Sequence, residues 1–299
     1  MRNIFKCLYL RRNVPYNMRE TKNESKMKKW IFIAGLCLMT VTLQAQSYKD
    51  YVQKALDAMA ADSLDLAENL FREAMRLEPA QRSNAMIYCQ IGRIQESRGE
   101  LHKALDSYTM GLNVAPHVLP LRMARAKLYM QLGNEEKALV DYSDVLDWKT
   151  DEQEALFMRA YIYAGQRLYK KARADYEALL KLNPAHEEAR IGLVLVNEKD
   201  NRPREAMEQI NAMVAVSPDH AILYAVRAGL EQTRKQYEAA EADFKKAISL
   251  DPKNTDYLLN RAALYIEMGK KKEAREDLDK ALELGADPNV VASMRHQLR

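Results

Sequence analysis

Residues 153–186 read QEALFMRAYIYAGQRLYKKARADYEALLKLNPAH, and residues 221–254 read AILYAVRAGLEQTRKQYEAAEADFKKAISLDPKN. Laid one beneath the other, the stretches put Ala160 over Ala228, Ala172 over Ala240, Tyr176 over Phe244 and Pro184 over Pro252. Both are rich in residues that favour helix, and neither holds the strict alternation of a strand. A fixed period of this length marks a repeat array, in which each unit is one supersecondary element.

The turn prolines carry the period through the chain. Pro184, Pro218 and Pro252 stand 34 residues apart, and Pro116 lies two periods before Pro184. Pro79 lies 37 residues before Pro116, which implies a three-residue insertion at 82–84. With each proline at position 32, seven units follow: 48–81, 85–118, 119–152, 153–186, 187–220, 221–254 and 255–288. Position 20 is then alanine in all seven: Ala67, Ala104, Ala138, Ala172, Ala206, Ala240 and Ala274. Position 8 is small in six, the exception being Val194, and position 24 is always large: Phe71, Tyr108, Tyr142, Tyr176, Ile210, Phe244 and Leu278.

Packing explains these columns. Two helices approach to about 8 Å only where small side chains meet, and a bulky residue one turn further on fills the groove against the next unit. Proline stops the second helix. Glycine or asparagine near position 15 (Gly99, Gly133, Asn201, Gly269) lets the first helix end and turn. The expected fold class is all-α, an α–α superhelix or solenoid of stacked antiparallel helical hairpins. No unit can bury its apolar face alone, so neighbours must stack. Residues 289–299 are expected to form a capping helix with Val290, Met294 and Leu298 on one face.

The pattern resembles the tetratricopeptide repeat family over residues 48–288. The second unit carries Tyr88, Ile91-Gly92, Ala104, Tyr108, Gly111 and Pro116, and the last carries Leu258, Ala262, Tyr265, Ala274 and Ala281. Thr150 and Ala286 replace the proline, and the fifth unit departs most, with Asn197 and Met213. Position 7 is arginine in four units, at Arg125, Arg159, Arg227 and Arg261, a departure from the family's pattern. The resemblance implies a curved, non-catalytic scaffold whose first helices line a concave surface that takes another protein or a peptide.

Composition limits the other classes. Net charge is +4, but residues 1–29 hold nine basic and two acidic residues, while the remainder holds 37 basic against 40 acidic. The body of the protein therefore lacks the basic excess a nucleic-acid partner requires. The leader has its own logic. Met27-Lys28-Lys29 precedes the apolar run Trp30–Met39, and a small residue, Ala45, stands before Gln46. This is the pattern of a secretion signal over 27–45, cleaved after Ala45. The apolar core is short for a membrane span, so no membrane span is expected after cleavage, and the protein is expected to be periplasmic or secreted from a bacterium. The alternative is anchoring by an uncleaved signal. Residues 1–26 show no pattern, and translation is expected to begin at Met27 or to leave 1–26 as a disordered leader. Cys7 and Cys37 depart with the leader, so Cys89 has no intramolecular partner and reads as a packing residue.

No constellation for catalysis is present. The chain has no Gly-rich phosphate loop and no cysteine pair spaced for zinc. His186 and His220 share position 34 in successive turns, but stacked units lie about 10 Å apart, too far for one metal. Ser217-Pro218-Asp219-His220 holds triad residue types within one turn, where they cannot form the required hydrogen-bond chain. Sixteen tyrosines could suggest sugar stacking, yet most fall on packing positions. No enzyme activity, cofactor or metal is expected.

Binding is expected on the inner face of the first helices. In the second and third units this face offers Gln90, Arg93, Met123 and Lys127. In the fourth it offers Phe157, Met158 and Tyr161, in the fifth Ile191 and Leu195, and in the sixth Ile222 and Val226. The groove would be polar at one end and apolar from its middle onward, suited to an amphipathic helix or extended peptide; the competing expectation is that these residues pack against one another. Position 9 reads Leu56, Arg93, Lys127, Tyr161, Leu195, Gly229 and Ala263. It lacks the Lys and Asn pair that some family members use to grip a C-terminal carboxylate. The expected role is an exported interaction scaffold. The alternative is an accessory factor for envelope polysaccharide or peptidoglycan assembly.

Overall fold

The computed structural model describes residues 47–298. The expected leader 1–26 and export signal 27–45 lie outside the described residues. The chain divides into two compact units, one up to Ala124 and one from Arg125 onward. Both are all-α and built of antiparallel helical hairpins.

The first unit holds α1 (47–60), α2 (Leu64–Leu77), α3 (Asn84–Ser97), α4 (Leu101–Val114) and the first half of α5 (Leu119–Gln131). The second unit holds the rest of α5, then α6 (Glu135–Trp148), α7 (Gln153–Gly165), α8 (Tyr169–Leu182), α9 (Glu187–Lys199) and α10 (Pro203–Val216). It continues through α11 (Ala221–Thr233), α12 (Tyr237–Leu250), α13 (Thr255–Glu267), α14 (Lys271–Glu283) and α15 (Pro288–His296). Thus the unit boundary falls inside a helix rather than at a repeat junction.

Every member of the position-20 alanine column is fully buried, and so is every member of the bulky column at position 24. Position 8 is equally closed. Its one glycine shows why smallness matters: a Cβ on Gly92 would sit 2.3 Å from Tyr108 Cε1. Seven residues at position 15 have positive φ, but glycine fills only three of those turns. Asp62, Arg167, Asn201 and Lys235 take the left-handed conformation in the others, with φ of 55–60°.

In the first unit, the inserted residues form a polar clamp. The Asn84 side chain donates to Glu78 O (2.7 Å) and accepts from the Tyr48 hydroxyl (3.0 Å). Both residues are buried, so the start of α1 is tied to the turn before α3. Cys89 is buried and free, and its burial pushes the thiol pKa up, as expected of a packing residue.

In the second unit, the position-7 arginines prove to be paired. Arg125 with Asp141, Arg159 with Asp175, Arg227 with Asp243 and Arg261 with Asp277 each form a two-pronged ion pair at 2.6–2.9 Å. Each aspartate lies sixteen residues after its arginine, on the facing helix of the same hairpin. Three of the arginines also lie over the tyrosine one turn later, Tyr129, Tyr163 and Tyr265, at 5.7–5.9 Å. In the hairpin of α9 and α10, Leu193 replaces the arginine, and a bond from Asn197 to Gln209 (3.1 Å) takes over the cross-hairpin link. The departures at position 7 are therefore an alternative way of joining two helices.

Glu231 on α11 stands where three other hairpins place tyrosine. Burial, and the charge of Asp243 nearby, push its pKa up to about 7, although Arg227 and Arg234 pull the other way. Its Oε2 is buried without a hydrogen-bond partner. Because the folded state holds the proton more tightly than the unfolded chain, the penalty is absent below pH about 4.5, grows as pH rises, and is complete above pH about 7. Glu231→Gln should therefore stabilise the protein at pH 8 by roughly 1 kcal/mol after allowing for solvent screening. The gain should fade towards pH 4, as urea titrations at the two pH values would show.

The last helix, α15, packs on α14. Asp287 caps it by accepting from Asn289 N at 2.8 Å, and Pro288 occupies its first turn. The buried face is Val291, Met294 and Leu298, while Val290 is exposed. The face assigned from sequence is thus shifted by one residue at its start, because spacing of three and then four follows the 3.6-residue period better than repeated fours.

Candidate functional site

The second unit contains a cavity of about 500 Å³ between α7 and α9, floored by Tyr176 of α8. Phe157, Tyr161, Ile191 and Leu195 line it, as the inner-face positions imply. On the wall of this cavity α9 comes close to α8 at a glycine. A Cβ on Gly192 would lie 2.6 Å from Tyr176 Cζ, so only glycine admits the ring beneath it. Phe157 is held from two sides, 6.0 Å from the Tyr176 ring and 5.3 Å from the His186 ring, the latter nearly parallel. His186 is itself fixed, since its Nδ1 accepts from Ala189 N (3.3 Å) at the start of α9.

The mouth is apolar and open. Tyr161 is 53% exposed and Leu195 46%, and they occupy the same position in successive hairpins. Burial beside Tyr161 pushes the Tyr176 pKa up to about 12, so its phenol stays neutral. Arg167, Tyr169 and Lys199 line the end of the cavity nearest the α7–α8 turn, together with Glu135, whereas Glu188 lies at the start of α9. Burying a large apolar side chain here would contribute about 1.5–3 kcal/mol.

The other expected groove residues are distributed differently. Gln90 (half-buried) and Arg93 (exposed) lie on α3 in the first unit. Met123, also in that unit, is 7% exposed and belongs to the core rather than to an open wall. In the second unit, Lys127 is engaged by Glu154 at 2.7 Å, and Met158 is half-buried. Ile222 and Val226, like Ile191, pack partly against the core around Ile210 and Leu223. Sequence reasoning did not name Tyr176, Gly192, Arg167 or Lys199 as parts of this site. The family pattern files Tyr176 under packing, and a glycine in mid-helix was the available signal for Gly192.

Among the described residues, no group of three His, Cys, Asp or Glu side chains is placed to hold a metal. No described helix is long and apolar enough to cross a membrane. The inner surface offers an apolar slot with charged ends, which is a geometry for binding.

Comparisons with known proteins agree with this architecture. Tetratricopeptide repeat models match residues 119–152, 157–221 and 233–298, together more than half of the chain. A solved tetratricopeptide repeat protein from Parabacteroides merdae is 29% identical with a TM-score of 0.70, covering 85% of this chain and 99% of its own. The "DnaJ homolog subfamily C member 3" of Bos taurus is 22% identical over 215 residues, 67% of this chain and 43% of that protein. The "Hsp70-Hsp90 organizing protein" of Triticum aestivum is 50% identical over 63 residues, 20% of this chain. The chain thus spans less than half the length of these two relatives, 43% and 11% respectively. Two columns, at positions 8 and 20, small in all but one of their members and buried between paired helices in all seven hairpins, and family models matching three separate stretches, lead to one conclusion: the chain belongs to the tetratricopeptide repeat family.

Proposed function

We propose that this protein is a non-enzymatic scaffold that captures another protein through the slot between α7 and α9, and that it works in the periplasm or after secretion. A tetratricopeptide repeat chain is an interaction scaffold. The observation that carries the assignment to this slot is the pair Tyr161 and Leu195, large, apolar and about half exposed at the mouth of a 500 Å³ cavity. An apolar mouth of this kind is suited to a bulky side chain of a helix or extended segment. Support for export comes from the signal pattern at 27–45.

The variant Tyr161→Asp/Leu195→Asp should retain its helicity, because both side chains face outward. It should weaken capture of the natural partner from envelope extracts by about 10- to 100-fold, as expected for losing one or two apolar anchors. Unchanged capture would remove the slot from consideration. Export is tested separately: the protein recovered from the periplasm should begin at Gln46, and recovery from the cytoplasm with residues 27–45 intact would refute it.

A further inference from the structure

Resting on the slot reading above, we propose that the captured segment carries an acidic side chain beside its bulky apolar anchor, with the carboxylate seated between Arg167 and Lys199. Both cations line the cavity and both are exposed. Among the described residues, neither side chain makes a hydrogen bond or ion pair.

Their neighbours behave differently. Arg159 is held by Asp175, Arg173 by Asp200 at 2.6 Å, and Arg202 by Glu205 at 3.1 Å. The nearby acids are likewise engaged: Asp200 by Arg173, and Glu198 by Arg234 at 2.7 Å. Glu135 is the acid that lines this end of the cavity, leaving two cations against one anion there. The opposite end carries Glu188, 3.2 Å from His186. The apolar slot therefore carries opposite charge at its two ends, positive towards the α7–α8 turn and negative towards the start of α9.

An apolar side chain in the slot brings its neighbour in sequence to one of these ends. At the positive end a carboxylate meets two unpaired donors, one of them a guanidinium able to bind it in two-pronged fashion. A lysine or arginine there would face like charge. Charge at the ends thus sets the direction of the bound segment, while the apolar anchor supplies the affinity.

The test uses the full chain and a displayed library of random twelve-residue peptides, about the length that spans a few helical turns. Selected peptides should share Leu, Phe or Trp next to Asp or Glu. Their affinity should fall at least about tenfold on the Arg167→Glu/Lys199→Glu protein, and replacing their acid by lysine should restore binding to that variant. Selected peptides without an acidic bias, or with affinities indifferent to the double reversal, would overturn this proposal while leaving the slot intact. Peptides that bind Tyr161→Asp/Leu195→Asp as well as the parent, or a library yielding no binder, would overturn the slot reading and this proposal together. Circular dichroism of the charge-reversed protein checks that its fold is unchanged, as expected for two exposed positions.

Discussion

Replacing Asp175 by alanine is expected to cost about 3–5 kcal/mol of stability, the range for removing one partner of a buried ion pair. Arg159 donates to both carboxylate oxygens, at 2.7 and 2.8 Å, and its side chain is only 21% exposed. Without Asp175 the guanidinium keeps its desolvation penalty and loses its compensation. The double variant Arg159→Leu/Asp175→Leu should recover most of the loss, because exchanging a whole buried pair for apolar side chains is often near neutral. Urea titrations of the parent, both single variants and the double variant would measure the coupling. Equal loss in the single and double variants would show that the pair serves packing rather than charge. In a repeat array each hairpin is stabilised chiefly by its neighbours, so the loss should also loosen α7 and α8 ahead of the remaining second unit. Hydrogen exchange would report that local opening.

Two glycines on neighbouring first helices should respond to alanine with opposite sign. At Gly192 the new methyl group would meet the Tyr176 ring at 2.6 Å, and Tyr176 is 3% exposed with little room to retreat. Gly192→Ala is therefore expected to destabilise by about 1–3 kcal/mol, the usual cost of overpacking. It should also narrow the floor of the slot and weaken partner capture. At Gly229 a Cβ would meet nothing within 4 Å, and the backbone is ordinary helix. Gly229→Ala should stabilise by about 0.5–1 kcal/mol, since helical glycine carries an entropic cost that no packing demand offsets. Thermal melts of the two variants beside the parent would decide the point. Matching signs would mean that the crowding at Tyr176 is relieved by a small shift of α8.

The fold was legible because repetition multiplies a weak signal. One alanine says little, but Ala67 and its six counterparts at a constant offset imply a close helix–helix contact, and all seven are buried. The apolar lining of the cavity between α7 and α9 was legible from the residues themselves. Phe157, Tyr161, Ile191 and Leu195 are large apolar residues on a face that an amphipathic helix would keep polar. Met123 misled because the same positional rule assigns it to the groove, whereas its neighbours close over it. The arginines at position 7 looked like departures because that column was read alone; aspartate stands sixteen residues later in each of the same four units, and the link shows only when the two columns are read together.

By itself, the sequence determined the all-α class, the period of the hairpins, the places where helices meet closely and the turns between them. These follow from local propensity and from side-chain size at fixed offsets, which are properties of short stretches. Tertiary structure alone decided which inner-face residues stay open, that the arginine and aspartate columns meet as two-pronged ion pairs, and where unpaired cations lie beside an apolar cavity. Those depend on how far apart α7, α8 and α9 stand at one glycine, Gly192, and on which carboxylates nearby are already taken. Burial and pairing are properties of the assembled helices, so they emerge only when the hairpins are stacked.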